Sequence, residues 1–264
     1  MEANNEDLVV ELKGISKRFG GIHALNKVDL ELRRGEIMGI VGDNGAGKST
    51  LMRILSGAYV ADEGEIFIDG NMVHIRNPLD AAKLGIAMIY QDLALFNNFD
   101  VAKNIFAGRE PVRGPLRVVD KKAMYRRTEQ LIEELRIDIK SPKHNVAAMS
   151  GGQRQMVACA RAVAFSSKIL IMDEPTAALG VTEAGKLLTL IRNLADNGLS
   201  ILLITQRIPD ILAIANRVFV LKGGVRQAVM DVPEVTLDDV VTMIVRGKNR
   251  AADSGANIEI RSFG

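Results

Sequence analysis

The sequence holds no tryptophan, only three tyrosines and eight phenylalanines, a single cysteine, and no dominant sign of charge. Each shortage excludes something. The lone Cys159 excludes an internal disulfide framework. The longest apolar stretches, such as Ile201-Leu202-Leu203-Ile204, fall far short of the ~20 residues a membrane helix needs. With 34 basic against 32 acidic residues the formal charge is +2, which leaves no strong electrostatic case for nucleic acid as the main partner. The start, Met1-Glu2-Ala3-Asn4-Asn5-Glu6-Asp7, is acidic and lacks the basic-then-apolar layout of a secretory signal. Together with the lone cysteine it points to the cytoplasm. What is present suffices for a core: 47% hydrophobic residues in 264, enough for one large domain or two modest ones.

The stretch that organises the chain is Gly42-Asp43-Asn44-Gly45-Ala46-Gly47-Lys48-Ser49-Thr50, after the apolar run Ile37–Val41 and before the helical pattern Thr50–Leu55. Small residues at this spacing let successive backbone N–H groups curl around a di- or triphosphate, and the following helix aims its positive end at the same anion. Lys48 would reach the β- and γ-phosphates and the Ser49 hydroxyl a Mg²⁺ ion. A second candidate lies at Ile169-Leu170-Ile171-Met172-Asp173-Glu174-Pro175, a buried-type strand ending in adjacent carboxylates. Strand alternation is expected to put them on opposite sides, one toward Mg²⁺ and the other toward a water. Ser150-Gly151-Gly152-Gln153 opens a helix rich in small residues; Ser150 is its expected N-cap, and the glycines leave N–H groups bare for an anion.

Around these motifs the pattern is β–α. Leu8–Leu12 and Val28–Leu32 predict a small β layer with a turn at Phe19-Gly20-Gly21, where the Phe19 ring can stack on a base or cover the sheet edge. Gly64–Asn71 reads as a strand entering a D-G-N hairpin, and Asn77, Pro78 and Gly85 bracket a short helix before the strand Ile86–Tyr90, ended by Gln91-Asp92. From about Leu93 to Val146 the β signal vanishes, which predicts an inserted helical subdomain at about 93–165 with a break at 108–115. Within it Asp120 is the expected cap of a helix whose Met124, Thr128, Leu131 and Leu135 share a face. A helix from Thr182, the strand Leu199–Thr205, a helix Pro209–Ala215, the strand Val218–Leu221 and a helix Leu237–Arg246 capped by Thr236 complete a parallel winding; 251–264 reads as a loose tail.

The phosphate loop, Met149-Ser150-Gly151-Gly152-Gln153 and the run Ile169–Pro175 together resemble the nucleotide-binding subunit of ATP-binding-cassette (ABC) transporters, over roughly Leu8 to Arg250. Asp173 lies 125 positions after Lys48, room for the helical insertion this family carries. Ala107–Pro111, Asp173–Leu179 and Val245–Lys248 look like bacterial importers of monosaccharides such as ribose, xylose and fructose. The resemblance implies an α/β fold: a P-loop NTPase core with a mixed or parallel sheet, an N-terminal antiparallel layer and a helical insertion, in a single domain over 8–250. It implies an ATPase with ATP and Mg²⁺, in which Phe19 stacks on adenine and Gly42 to Thr50 (Asp43, Asn44, Gly45, Ala46, Gly47, Lys48 and Ser49 between them) hold the phosphates. Ser49, Gln91 and Asp173 would serve the metal, and Glu174 would polarise the attacking water. Ser150, Gly151, Gly152 and Gln153 would cap the γ-phosphate held by a second copy in a head-to-tail dimer. Permease subunits at the cytoplasmic face of the membrane and, indirectly, a periplasmic sugar-binding protein are the implied partners, with no nucleic acid. Two positions depart from the family: Gln206 stands where a switch histidine is expected, and Gly180 where an aspartate is.

Overall fold

A computed structural model describes residues 7–165 and 167–247; the expected tail at 251–264 and the last three residues of the expected domain lie outside them. Two β-sheets stack with the helix at 48–55 in the core they share, and the helices at 101–106, 121–134, 151–163 and 181–196 pack on the other face of the larger one. The first sheet is antiparallel, in the order β2-β1-β4-β5, built from β1 (Leu8–Phe19), β2 (Ile22–Arg33), β4 (Glu63–Ile68) and β5 (Asn71–Val73). The second has the order β12-β11-β3-β10-β9-β6, from β3 (Ile37–Val41), β6 (Ile86–Ile89), β9 (Ile169–Asp173), β10 (Ser200–Ile204), β11 (Arg217–Lys222) and β12 (Val225–Asp231). All its pairs are parallel except β11 with β12. The sheet is therefore mixed, and the closing strand β12 is one the sequence reading did not assign.

The central strands Ile37–Val41 and Ser200–Ile204 are buried along their whole length, as a sheet covered on both faces requires. Pleating divides their side chains. Ile37, Val41, Leu170, Met172, Ile201 and Leu203 join the core under the helices, whereas Met38, Ile40, Ile169, Ile171, Leu202 and Ile204 join the core against the antiparallel layer. The helices are α1 (Lys48–Leu55), α2 (Pro78–Lys83), α3 (Val101–Phe106), α4 (Lys121–Glu134), α5 (Gly151–Val163), α6 (Val181–Asp196), α7 (Ile208–Ile214) and α8 (Leu237–Arg246).

Capping chemistry sets many of these starts. Asn77, Asp120, Ser150 and Thr236 each accept a backbone N–H of their own first turn, at the positions where the sequence placed caps. Asp69 and Gly70 both have positive φ, as the D-G-N hairpin demands. The stretch 93–146 departs from its expectation in one respect. Between α3 and α4 the chain forms a two-stranded hairpin, β7 (Val112–Arg113) with β8 (Val118–Val119), so the β signal does not vanish there. Strands of two residues are too short to leave a period-2 pattern. On α4, Met124, Thr128 and Leu131 are buried, while Leu135 caps the end and is half-buried.

Candidate functional site

Because β3, β10, β9 and β6 run parallel and adjacent, the segments leaving their carboxyl ends emerge along one edge. They are the loop 42–47, Thr205-Gln206, Glu174 and the Gln91 segment. The loop's shape is fixed by sterics at two glycines. Gly42 sits at φ 150°, and a Cβ there would lie 2.0 Å from the Leu221 carbonyl oxygen; at Gly47, φ 104°, it would lie 2.5 Å from that of Ala24. A side chain at either place would collide with the β11 or β2 backbone behind the loop and push the loop out of this shape.

Lys48 is buried and donates from Nζ to the Gly42 and Asp43 carbonyl oxygens, 2.6 and 3.0 Å away, within its own loop. Desolvation lowers its pKa, while Glu174, Asp173 and Asp43 act in the opposite sense. Asp173 closes β9 and accepts a hydrogen bond from the Ser49 hydroxyl; burial raises its pKa against the pull of Arg53 and Lys48. Glu174 is also raised by burial, opposed by the Gln206 N–H, with Asp173 adding to the rise.

The separation of the two carboxylates differs in origin from the expectation. Glu174 is not on the strand: its φ is 50°, in the left-handed region, and its N–H bonds the Ile204 carbonyl at 2.9 Å. Strand alternation therefore does not divide Asp173 from Glu174; a backbone kink after Asp173 does. A non-glycine residue in that region is strained by ~1–3 kcal/mol and persists because the surroundings over-determine it. Gln206 N donates to Glu174 Oε2 at 3.3 Å, and the Thr205 side chain also bonds that carboxylate. The Gln206 amide reaches across to Asn44 Oδ1 at 3.0 Å, tying the segment after β10 to the glycine-rich loop.

The other expected residues are placed as follows. Gln91 is exposed, two residues past β6, and shares the lining of a cavity of ≈ 370 Å³ with Gly151, Arg154, Gln155, Glu174 and Ala178. Ser150 and Gln153 form a reciprocal capping box at the head of α5, and Gln153 Nε2 donates to the Asp138 carbonyl at 3.2 Å. Among the described residues, none of Ser150, Gly151, Gly152 and Gln153 bonds Lys48, Ser49, Asp173 or Glu174. The Phe19 ring is 42% exposed, meets Tyr59 edge-on at 5.2 Å and has Lys17 Nζ 5.6 Å from its centroid. Gly180 precedes α6 with no side chain to cap it, and a Cβ there would meet nothing within 4 Å.

Two residues in this site escaped the sequence reading. Thr205 touches Glu174 only through the fold. Arg53, which acts electrostatically on Asp173, was legible: it stands four residues after Ser49, hence on the same helix face. Its guanidinium also donates to the Tyr59 hydroxyl at 3.2 Å, linking the aromatic pair to α1.

A glycine-rich loop at a helix start, a buried lysine and two desolvated carboxylates at the carboxyl edge of a parallel sheet make up the architecture of the P-loop class. The ABC transporter family matches residues 25–177, and the chain belongs to it. It is 44% identical to the ribose import ATP-binding protein RbsA of Caldanaerobacter subterraneus subsp. tengcongensis, over 90% of this chain and 47% of that protein. The chain thus spans about half the length of several relatives it matches. It is also 40% identical to the fructose import ATP-binding protein FrcA of Rhizobium meliloti, over 92% of this chain and 96% of that one. Among solved structures, the dimeric form of a bacterial ABC transporter cassette superposes with a TM-score of 0.71 at 26% identity, covering 84% of this chain and 98% of that one. The helices of the described residues include none long and apolar enough to cross a membrane.

Proposed function

We propose that this chain is the ATP-binding and ATP-hydrolysing subunit that energises import of a small sugar by an ABC transporter. The observation that carries the reading is the convergence of Lys48, Asp173 and Glu174 beside the glycine cradle. Lys48, which satisfies itself on loop carbonyls, would exchange them for phosphate oxygens, and the loop N–H groups would take up the rest. The donor set of Ser49 hydroxyl and Asp173 carboxylate suits Mg²⁺, a hard cation held by one or two protein oxygens plus phosphates, while Gln91 lines a cavity with Glu174, the next residue. Mg²⁺, when bound, offsets the charge on the phosphate oxygens.

Glu174 is the general base in this reading. It accepts the proton of a water whose oxygen attacks the γ-phosphorus as the bond to the β-phosphate oxygen breaks and ADP leaves. A carboxylate raised by desolvation is more basic than an exposed one, and the Gln206 and Thr205 contacts hold its oxygens in place. Phe19 offers its exposed face to adenine. The bare N–H groups at the head of α5 belong to the γ-phosphate of a second copy, so the working form is a head-to-tail dimer over residues 8–250 of each chain. The membrane permease subunits, a periplasmic sugar-binding protein and a peripheral place at the cytoplasmic face follow from the kinship with ribose and fructose import proteins.

Glu174→Gln tests this: ATP turnover should fall by a factor of about 100 or more while ATP-dependent dimers accumulate. Undiminished turnover would sink the assignment. A second reading, an ATP-binding module with weak turnover, is favoured by the Gln206–Asn44 bond, which engages the switch residue with the phosphate loop itself. A neutral amide cannot carry the charge of a histidine there.

A further inference from the structure

Helix α5 carries the Ser150–Gln153 group at its first turn, and at its far end Arg161 holds the segment that follows Gln91. The Arg161 guanidinium donates from Nη2 to the Leu93 carbonyl at 2.6 Å and from Nη1 to the Ala94 carbonyl at 2.8 Å. Among the described residues no carboxylate pairs with it, and burial depresses its pKa. A desolvated guanidinium spending its donors on two consecutive carbonyls of one loop is an arrangement that sets backbone position. The loop it grips is itself irregular, with Ala94 at φ 47°.

The same helix faces the same loop at a second point. Gln155 is 6% exposed, lines the ≈ 370 Å³ cavity along with Gln91, Leu93 and Leu95, and its Nε2 has no hydrogen-bond partner among the described residues. A buried amide donor left unmade is costly, and this one faces the cavity that the loop also lines. Arg161 lies ten residues after Gly151, ~15 Å along a rigid helix.

We propose that Arg161 is a positioning residue that makes the Gln91–Leu95 loop and helix α5 move as one body, with Gln155 holding a donor in reserve for the loop's nucleotide-bound position. A change at Gln91, beside Glu174, is thereby transmitted along α5 to the N–H groups offered to the second copy. The proposal rests on the ATPase reading for its purpose but not for its test.

The test is hydrogen exchange over residues 91–97, with and without a non-hydrolysable ATP analogue, alongside steady-state turnover, in the parent, Arg161→Ala, Arg161→Lys and Gln155→Leu. Arg161→Ala should speed exchange of the loop at least tenfold, leave affinity for the analogue within twofold, and lower kcat about tenfold with KM retained. Arg161→Lys, which keeps the charge and a single-point donor, should recover part of the protection and serves if the alanine variant does not fold. Gln155→Leu should leave the free loop unchanged and remove the protection added by the analogue. Unchanged loop exchange in both Arg161 variants overturns the proposal, as does faster exchange spread evenly through the core sheet. A parent that binds the analogue yet never hydrolyses ATP would refute the ATPase reading while the exchange data still decide the role of Arg161.

Discussion

Replacing Arg217 with methionine should unfold this protein well below the parent's melting temperature, although position 217 lies outside the site. Arg217 at the start of β11 and Glu36 just before β3 are 8% and 5% exposed and pair in a fork, Nε to Oε1 at 2.5 Å and Nη2 to Oε2 at 2.9 Å. Nη2 also donates to the Glu31 carbonyl of β2 at 2.9 Å, and Glu36 Oε2 accepts the Arg33 N–H at 2.7 Å. The cluster thus rivets the antiparallel layer to the central sheet. Burial alone would lower the Arg217 pKa; Glu36 more than offsets it and holds the guanidinium above its ordinary value. Arg217→Met leaves Glu36 charged and buried with one remaining donor, which costs about 3–5 kcal/mol. At ~2–4 °C per kcal/mol, that is a fall of roughly 6–20 °C in Tm. The exposed pair Arg127–Glu134, 45% and 54% exposed, should give at most about 1 kcal/mol by the same treatment. Replacing both partners, Glu36→Leu with Arg217→Met, should recover most of the loss, because no buried charge is left over. Circular dichroism melts and urea titrations without nucleotide measure all four proteins. A loss below ~1 kcal/mol in the single variant, or a double variant worse than the single, would refute the reasoning.

Three further outcomes are expected. The Asp173 and Glu174 carboxyls titrate above their ordinary values, so the folded protein holds protons there that the unfolded chain has released. Stability without nucleotide should therefore decline as pH rises from the ordinary carboxylate range through the raised values, and Asp173→Asn or Glu174→Gln should raise Tm at pH 7 and flatten that decline; melts at pH 5 and 8 that match the parent's would contradict it. Gly42→Ala places a methyl 2.0 Å from the Leu221 carbonyl oxygen, so it should cost a few kcal/mol of strain and at least tenfold in ATP affinity by calorimetry; parental binding would mean the cradle tolerates a side chain. Gln206→His, which can no longer donate an amide N–H to Asn44 and can carry charge, should raise ATP turnover in the assembled transporter, and no increase would remove Gln206 as a brake.

What was readable in the sequence and what was not divide along a physical line. Chemistry acting over a few residues was readable: the caps at Asn77, Asp120, Ser150 and Thr236, the Asp69-Gly70 turn, and the cradle from Gly42 to Ser49, whose glycines and lysine are consecutive or nearly so. Hydrophobic runs placed the buried strands, and their β–α rhythm implied parallel pairing. The strand β12 was missed because Val225–Asp231 is only partly buried and its residues follow no clean alternation.

The sequence by itself determined the class of protein, the glycine-rich loop ahead of α1 and the caps of its helices, because backbone sterics and local hydrogen bonds act between near neighbours along the chain. Only the tertiary structure decided how those side chains are set. It turned Glu174 off the strand by bonding its N–H to Ile204, and brought Gln206 to Asn44 across 162 positions. It closed Arg217 on Glu36 across 181 and carried Arg161 to the Gln91 loop. Those contacts join residues far apart along the chain, and their geometry exists only once the parallel sheet has brought four loops to one edge.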